Sequence, residues 1–180
     1  MEPTTQWKFR WFWPWQDDRE EAWLGNLSRE GWHLSKFGFP RIYLFQKGDP
    51  KNFVYRLDYQ TSRMKDREAY LQLFRDAGWE PVGKLAAWEY FRKETADGEA
   101  PEIFTDPESK IRKYRRILGT MTLLLIALIL IGLSRVFSTE ASDPGRDVLQ
   151  LIIAAVIAVY GVIVVGLYRR IRQLRNNPRK

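Results

Sequence analysis

The chain is 180 residues long, with no cysteine, one histidine and a formal net charge of +7; the missing thiols exclude disulfides, thiol catalysis and thiolate metal sites, and the length admits one compact domain plus a small second part. The charge does not mark a nucleic-acid binder, because residues 1–109 carry 16 Lys and Arg against 19 Asp and Glu, a net of −3, where a basic domain is needed. Residues 110–180 carry 13 against 3, a net of +10, so the basic excess belongs to the C-terminal part.

In chain order, Gln6 to Trp15 alternates, with Trp7, Phe9, Trp11, Trp13 and Trp15 on one parity, and this period of two predicts a strand that finishes near Pro14. Asp17, with Glu20 three residues on, predicts a capped helix that ends at Gly31. Strands follow at about 32–37 and 41–47, then a Gly48-Asp49-Pro50 turn and a strand from Phe53 to Tyr59. A second helix is predicted from about Asp66 to Ala77, with Tyr70, Leu73, Phe74 and Ala77 as its buried stripe. Gly78 stops it, and strands at 79–84 and 87–93 complete the series.

Shifting the chain by 47 positions places Trp23 on Tyr70, Leu24 on Leu71, Leu27 on Phe74, Gly31 on Gly78 and Trp32 on Trp79. The unit is strand, helix, hairpin, used twice. Two copies are too few for an open solenoid, so residues 1–93 are expected to form a closed α+β domain. The expected form is a sheet of about six strands with both helices on one face, a ferredoxin-like sandwich.

Residues 94–109 are polar and acidic, with Pro101 and Pro107, and are expected to be a linker in which Asp106-Pro107 starts a helix. Residues 110–180 then hold two long apolar runs, expected as membrane spans at about 117–137 and 148–168; Ile117 to Ser134 and Val148 to Tyr168 contain no charged residue. About 20 apolar residues cross a bilayer, and the polar connection with Asp143-Pro144-Gly145 predicts a turn outside it. Lys110, Arg112, Lys113, Arg115 and Arg116 precede the first run; Arg169, Arg170 and Arg172 follow the second. By the positive-inside rule both termini face the cytoplasm, and these flanks attract anionic headgroups. The amino terminus lacks the apolar core and cleavage site of a signal peptide, so the first span is expected to act as an uncleaved membrane signal. The localisation expected is the cytoplasmic (inner) membrane, multi-pass.

No phosphate loop, GxGxxG, GxSxG or HExxH occurs, so the expectation is a non-enzyme with no cofactor. His33 has no companion ligand and is expected as a polar strand position without a metal; Arg56 and Asp58 are expected as a solvated ion pair. The aromatics allow two readings. They are core, or Trp11, Trp13, Trp15, Tyr43, Tyr55 and Trp88 line an open face that binds a protein partner, a ligand, the headgroup layer or a second copy in a homo-oligomer. Within the spans, Ala154, Ala158 and Gly161 share one helix face and would let the second helix approach the first, the plainer use, or a second copy, and Tyr160 is expected to bond a carbonyl or lie against the partner helix.

The order EEAWLGNLSREGWHL, YLFQKGDPKNFVYRLDY, YLQLFRDAGWEPVG, WEYFRK and EIFTDPESK, followed by a membrane hairpin, resembles the bacterial membrane proteins grouped as domain of unknown function 2812. The resemblance spans about Trp7 to Ile117 and implies no catalytic residue. It implies a bacterial, mostly Gram-positive, inner-membrane protein, and genes near PadR-like regulators point to a regulatory setting. The function expected is a cytoplasmic domain that binds a partner or ligand, tethered by the hairpin. The alternative is an accessory subunit of a membrane transporter or enzyme that acts through the hairpin itself.

Overall fold

The computed structural model describes residues 4–38, 40–60, 66–96, 107–138 and 144–176. It divides into two compact units, Met1–Thr105 and Asp106–Lys180. The connection at 97–106 and the turn at 139–143 lie outside the described residues, and with them most of the expected linker and the Asp106 cap.

In the first unit the order is β1 (Thr5–Phe9), α1 (Asp17–Arg29), β2 (Trp32–Gly38), β3 (Ile42–Lys47), β4 (Phe53–Tyr59), α2 (Arg67–Asp76), β5 (Glu80–Leu85) and β6 (Trp88–Glu94). The strands form two antiparallel three-stranded sheets, β1-β3-β2 and β4-β6-β5, in place of the single six-stranded sheet expected. The reason lies at the two edges that touch. β2 and β5 lie against each other, but each is bulged, at Leu34/Lys36 and at Pro81/Gly83. A bulged edge carrying a proline cannot zip into a ladder.

The two bulges are 47 residues apart, so the repeat seen in the sequence is a repeat of structure down to its irregularities. Both helices close on a left-handed glycine, Gly31 at φ +79° and Gly78 at φ +80°. After α2 the Gly78 N–H donates to Arg75 O and the Trp79 N–H to Phe74 O, which satisfies the last carbonyls of the helix. The hairpin turn is one residue shorter in the second copy, because Gly38 faces Ile42 whereas Leu85 faces Trp88. Past that turn β3 and β6 correspond at a shift of 46, so Phe45 answers to Phe91.

Several local expectations change. β1 ends at Phe9, because β3 offers no strand partner beyond Ile42; Trp11, Trp13 and Trp15 therefore lie in the loop that enters α1. Gln16, not Asp17, is the N-cap residue of α1, and its side chain accepts from the Trp13 N–H at 3.1 Å. Asp66 does cap α2, accepting from the Ala69 N–H at 2.9 Å. The buried residues of α2 are Leu71 and Phe74, packed on Trp79 and Phe91, while Leu73 is exposed.

In the second unit α3 (Pro107–Ser138) carries the basic run straight into the apolar one, and α4 (Pro144–Asn176) follows. They pack as an antiparallel pair: Tyr114 meets Arg170, Thr122 meets Tyr160, and Gly132 lies against Ile153. Both helices are long and apolar enough to cross a membrane.

Candidate functional site

Each sheet buries the face that its own helix covers. α2 covers Val54 and Phe91 of the second sheet; α1 sets Trp23 edge-on against Tyr43 and Phe45 of the first. The other two faces differ. In the second sheet Leu57, Tyr90, Tyr59 and Trp88 form two cross-strand rows that are all buried. Phe37 of β2 packs on Tyr90 with the rings tilted at 45° and their centroids 4.4 Å apart, and α1 reaches across so that Glu21 accepts from the Leu57 N–H at 2.8 Å. The corresponding rows of the first sheet are Trp7, Leu44, Lys36 and Phe9, Ile42, Gly38. Among the described residues nothing covers them: Trp7 is 56 % exposed and Phe9 66 %, with Trp11 beyond them at 53 %.

The six aromatics singled out in the sequence therefore do not share one surface. Tyr43, Tyr55 and Trp88 are core residues, a correction with a plain cause: the second sheet is covered on both faces, and Tyr43 lies beneath α1. Trp11, Trp13 and Trp15 form a ladder, edge-on at 6.1 Å and then stacked at 5.2 Å, with Trp11 exposed and the other two half-buried. Trp7 and Phe9, absent from the expected set, make the outward face. Their parity with Trp11 in the alternating segment was the available signal.

At the centre of the first unit Glu20 is 2 % exposed and saturated. Tyr43 and Tyr90 both donate to its Oε1, at 2.7 and 2.5 Å, and Arg41 donates to Oε2 at 2.9 Å. Burial, with the Glu20 charge adding to it, raises both phenol pKa values. Burial works against the Arg41 charge, yet Glu20 leaves its pKa raised. A carboxylate with three donors and no access to solvent holds the two repeats together and has no room for a substrate.

A cleft of about 510 Å³ opens where the repeats meet, lined by residues including His33, Lys47, Asp49, Lys51, Glu80 and Arg92. Its charges are largely paired within the domain: Arg92 binds Glu80 through two contacts of 2.7 Å and Lys51 binds Glu94 at 3.0 Å. His33 Nε2 donates to the Asp49 carbonyl at 2.8 Å, and Nδ1 faces Ser28 Oγ at 3.2 Å. Among the described residues no group of three or more acidic or histidine side chains is placed to hold a metal. Arg56 and Asp58 do not pair with each other. Arg56 binds Glu21 at 3.1 Å, and Asp58 is buried, accepting from Tyr70, Gln60 and the Tyr59 N–H.

In the hairpin, Ala154, Ala158 and Gly161 are exposed and face away from α3, which corrects their expected use within the hairpin. The close approach is made by Gly132 of α3 against Ile153, because Ile153, Val156 and Tyr160 are the side of α4 turned inward. Thr122 donates to Leu118 O at 2.8 Å, so Tyr160 donates to Thr122 at 2.7 Å. The antiparallel arrangement brings Lys110, Arg112, Lys113, Arg115 and Arg116 to the same end of the pair as Arg169, Arg170 and Arg172.

These features define an α+β repeat domain followed by a helical hairpin of membrane-spanning length. The chain belongs to the family described as Protein of unknown function (DUF2812), whose model matches residues 16–127. That match runs from the start of α1 into α3, so β1 with its exposed aromatics precedes it. Comparison with curated proteins and with solved structures finds no match.

Proposed function

We propose that this is a non-enzymatic, two-span protein of the bacterial cytoplasmic membrane, with both termini in the cytoplasm, whose α+β domain is a recognition module with a regulatory role. The observation that carries the reading is the outward face of β1-β3-β2. The second copy of the repeat buries the matching rows of β4 and β6, and the first leaves Trp7 and Phe9 in solvent. A sheet face bearing large aromatics is an interaction surface waiting for its occupant. The basic excess at one end of the hairpin supports the orientation, and the sealed, saturated Glu20 supports a non-catalytic core. The cleft of about 510 Å³ is of a size to take a small ligand. The test is crosslinking in native membranes followed by mass spectrometry, comparing the full chain with one lacking residues 1–93. A partner lost on deletion supports the reading, and turnover of a defined metabolite by the full chain would overturn it.

A second reading, an accessory subunit that acts through its hairpin, draws on the outward-facing Ala154, Ala158 and Gly161, since small residues let another helix come close. Under it the crosslinked partner survives the deletion, and replacing the hairpin with an unrelated one abolishes function.

A further inference from the structure

β1 is an edge strand: it pairs with β3 on one side and, among the described residues, with no strand on the other. The bonds at its two ends fix which backbone groups face the open side. The Lys47 N–H donates to Thr4 O at 2.8 Å and the Arg10 N–H to Arg41 O at 3.3 Å, so the even-numbered residues bond β3. Bonding alternates along an antiparallel ladder, and Thr5, Trp7 and Phe9 therefore turn both N–H and C=O outward.

The second copy of the repeat shows the same edge filled. There β4 is the edge strand, and Leu57, opposite Tyr90, answers to Trp7, opposite Leu44. The Leu57 N–H is accepted by Glu21 at 2.8 Å, and Gly25 comes so close to Phe53 O that an added Cβ would lie 3.2 Å from it. α1 thus covers the edge of β4, whereas no described residue accepts from the Trp7 N–H. β1 has no proline and no bulge to blunt its edge, and Lys8, its single charged residue, reaches back to the Trp32 ring. An open edge of that kind is a template for another strand.

We propose that the strand it takes is β1 of a second copy of this chain, antiparallel about a two-fold axis through Trp7. In that register all three outward residues find partners: Trp7 opposes the partner's Trp7 and Thr5 opposes the partner's Phe9, each pair exchanging two hydrogen bonds. Lys8 falls opposite the partner's Gln6 and Arg10 opposite the partner's Thr4, so no charge meets its like. A slip that pairs Trp7 with the partner's Phe9 would set Lys8 against Lys8. A slip the other way would carry Phe9 past the end of the partner strand. The edge is therefore complementary to itself in one register, and an isologous contact of this kind closes at two copies. The two β1-β3-β2 sheets become one continuous sheet, with the outward rows of both copies on the same side and the Trp7 rings adjacent at its centre. The pairing uses the edge of the sheet and leaves its face free, so it stands or falls separately from the recognition role.

The chain has no cysteine, so introduced thiols report without background. The experiment co-reconstitutes full-length Thr5→Cys and Phe9→Cys chains in lipid bilayers and oxidises them. Opposed residues of such a pair have Cα atoms about 5.5 Å apart, within disulfide reach. The two copies of position 5 lie about 14 Å apart along the strands, as do the two copies of position 9. The expected result is a disulfide-linked dimer from the mixture and almost none from either variant alone. Linkage in all three samples alike, or in none, overturns the proposal. Energy transfer between labelled full-length chains, titrated with lipid, measures the affinity independently. Trp7→Pro removes an N–H that β3 does not use and is expected to weaken the dimer roughly tenfold or more, since the central pair loses both of its bonds. Trp7→Lys sets two cations face to face at the axis and also dissociates it, with circular dichroism showing both variants folded. Energy transfer unchanged in both variants overturns the proposal, and so does a thiol crosslinker at position 9 that captures an unrelated protein in native membranes. A monomer whose partner is still lost on deletion of residues 1–93 sinks the dimer alone, whereas a dimer with no such partner sinks the recognition role alone.

Discussion

The hydroxyls of Tyr43 and Tyr90 meet on a single oxygen, Glu20 Oε1, at 2.7 and 2.5 Å. One tyrosine comes from each sheet, so a single carboxylate on α1 joins the two copies of the repeat. Arg41 completes the set and neutralises the charge. Breaking a buried charged pair by removing one member costs about 3–5 kcal/mol, and Glu20→Ala is expected to destabilise the first unit by that order. Tyr43→Phe removes one hydrogen bond to a charged group and is expected to cost about 1.5–3 kcal/mol. Denaturant unfolding of the full chain in detergent, followed by tryptophan emission, measures both.

Tyr43, Tyr55, Tyr70 and Tyr90 all have phenol pKa values raised above 10.0, in each case first by burial. A raised pKa means that the folded state keeps its proton where the unfolded state loses it. The resulting stabilisation is full below pH 10 and declines as the pH rises above it. Absorbance at phenolate wavelengths is expected to show exposed tyrosines ionising first and these four only as the domain unfolds. Tyr43→Phe and Tyr90→Phe flatten the loss of stability at alkaline pH, though both proteins start less stable.

Ala86 occupies the two-residue turn between β5 and β6 at φ +54°, a left-handed conformation that a Cβ disfavours. Ala86→Gly removes that strain at some cost in chain entropy and is expected to stabilise the first unit by about 0.5–1 kcal/mol. The melting temperature rises if the account is right and falls if the turn relaxes without strain.

The Tyr160 to Thr122 bond ties α4 to α3 near the middle of the apolar segment. Tyr160→Phe is expected to weaken the pair by about 0.6 kcal/mol, the usual scale of such bonds between membrane helices. Gly132→Val should do more, since a Cβ there displaces the end of the Ile153 side chain and the two added branches leave that side chain less room to turn aside. Energy transfer between dyes on the two helices, titrated with denaturing detergent, ranks wild type above Tyr160→Phe and both above Gly132→Val. A Gly132→Val protein as stable as the wild type would mean that Ile153 turns aside without cost and that Gly132 is not needed for the approach.

Much of this protein is local, and the sequence by itself determined it. The 47-residue repeat, the Gly-Trp helix ends at Gly31 and Gly78, the start of the second helix near Asp66 and the two apolar helices each rest on contacts within a few residues or on a run of one composition. Periodicity also placed Trp7, Phe9 and Trp11 on one parity. What it could not say was which parity another part of the chain would cover. That was decided by tertiary structure, because bulges in β2 and β5 split the strands into two sheets and let α1 reach over to β4. The same reach turned Glu20 from a helix-start residue into the link between repeats, through Tyr43 of one sheet and Tyr90 of the other. In the hairpin, composition found the helices but not their facing sides: Gly132 meets α4, and Ala154, Ala158 and Gly161 turn away, since a rotation of either helix leaves its apolar run unchanged and alters every contact.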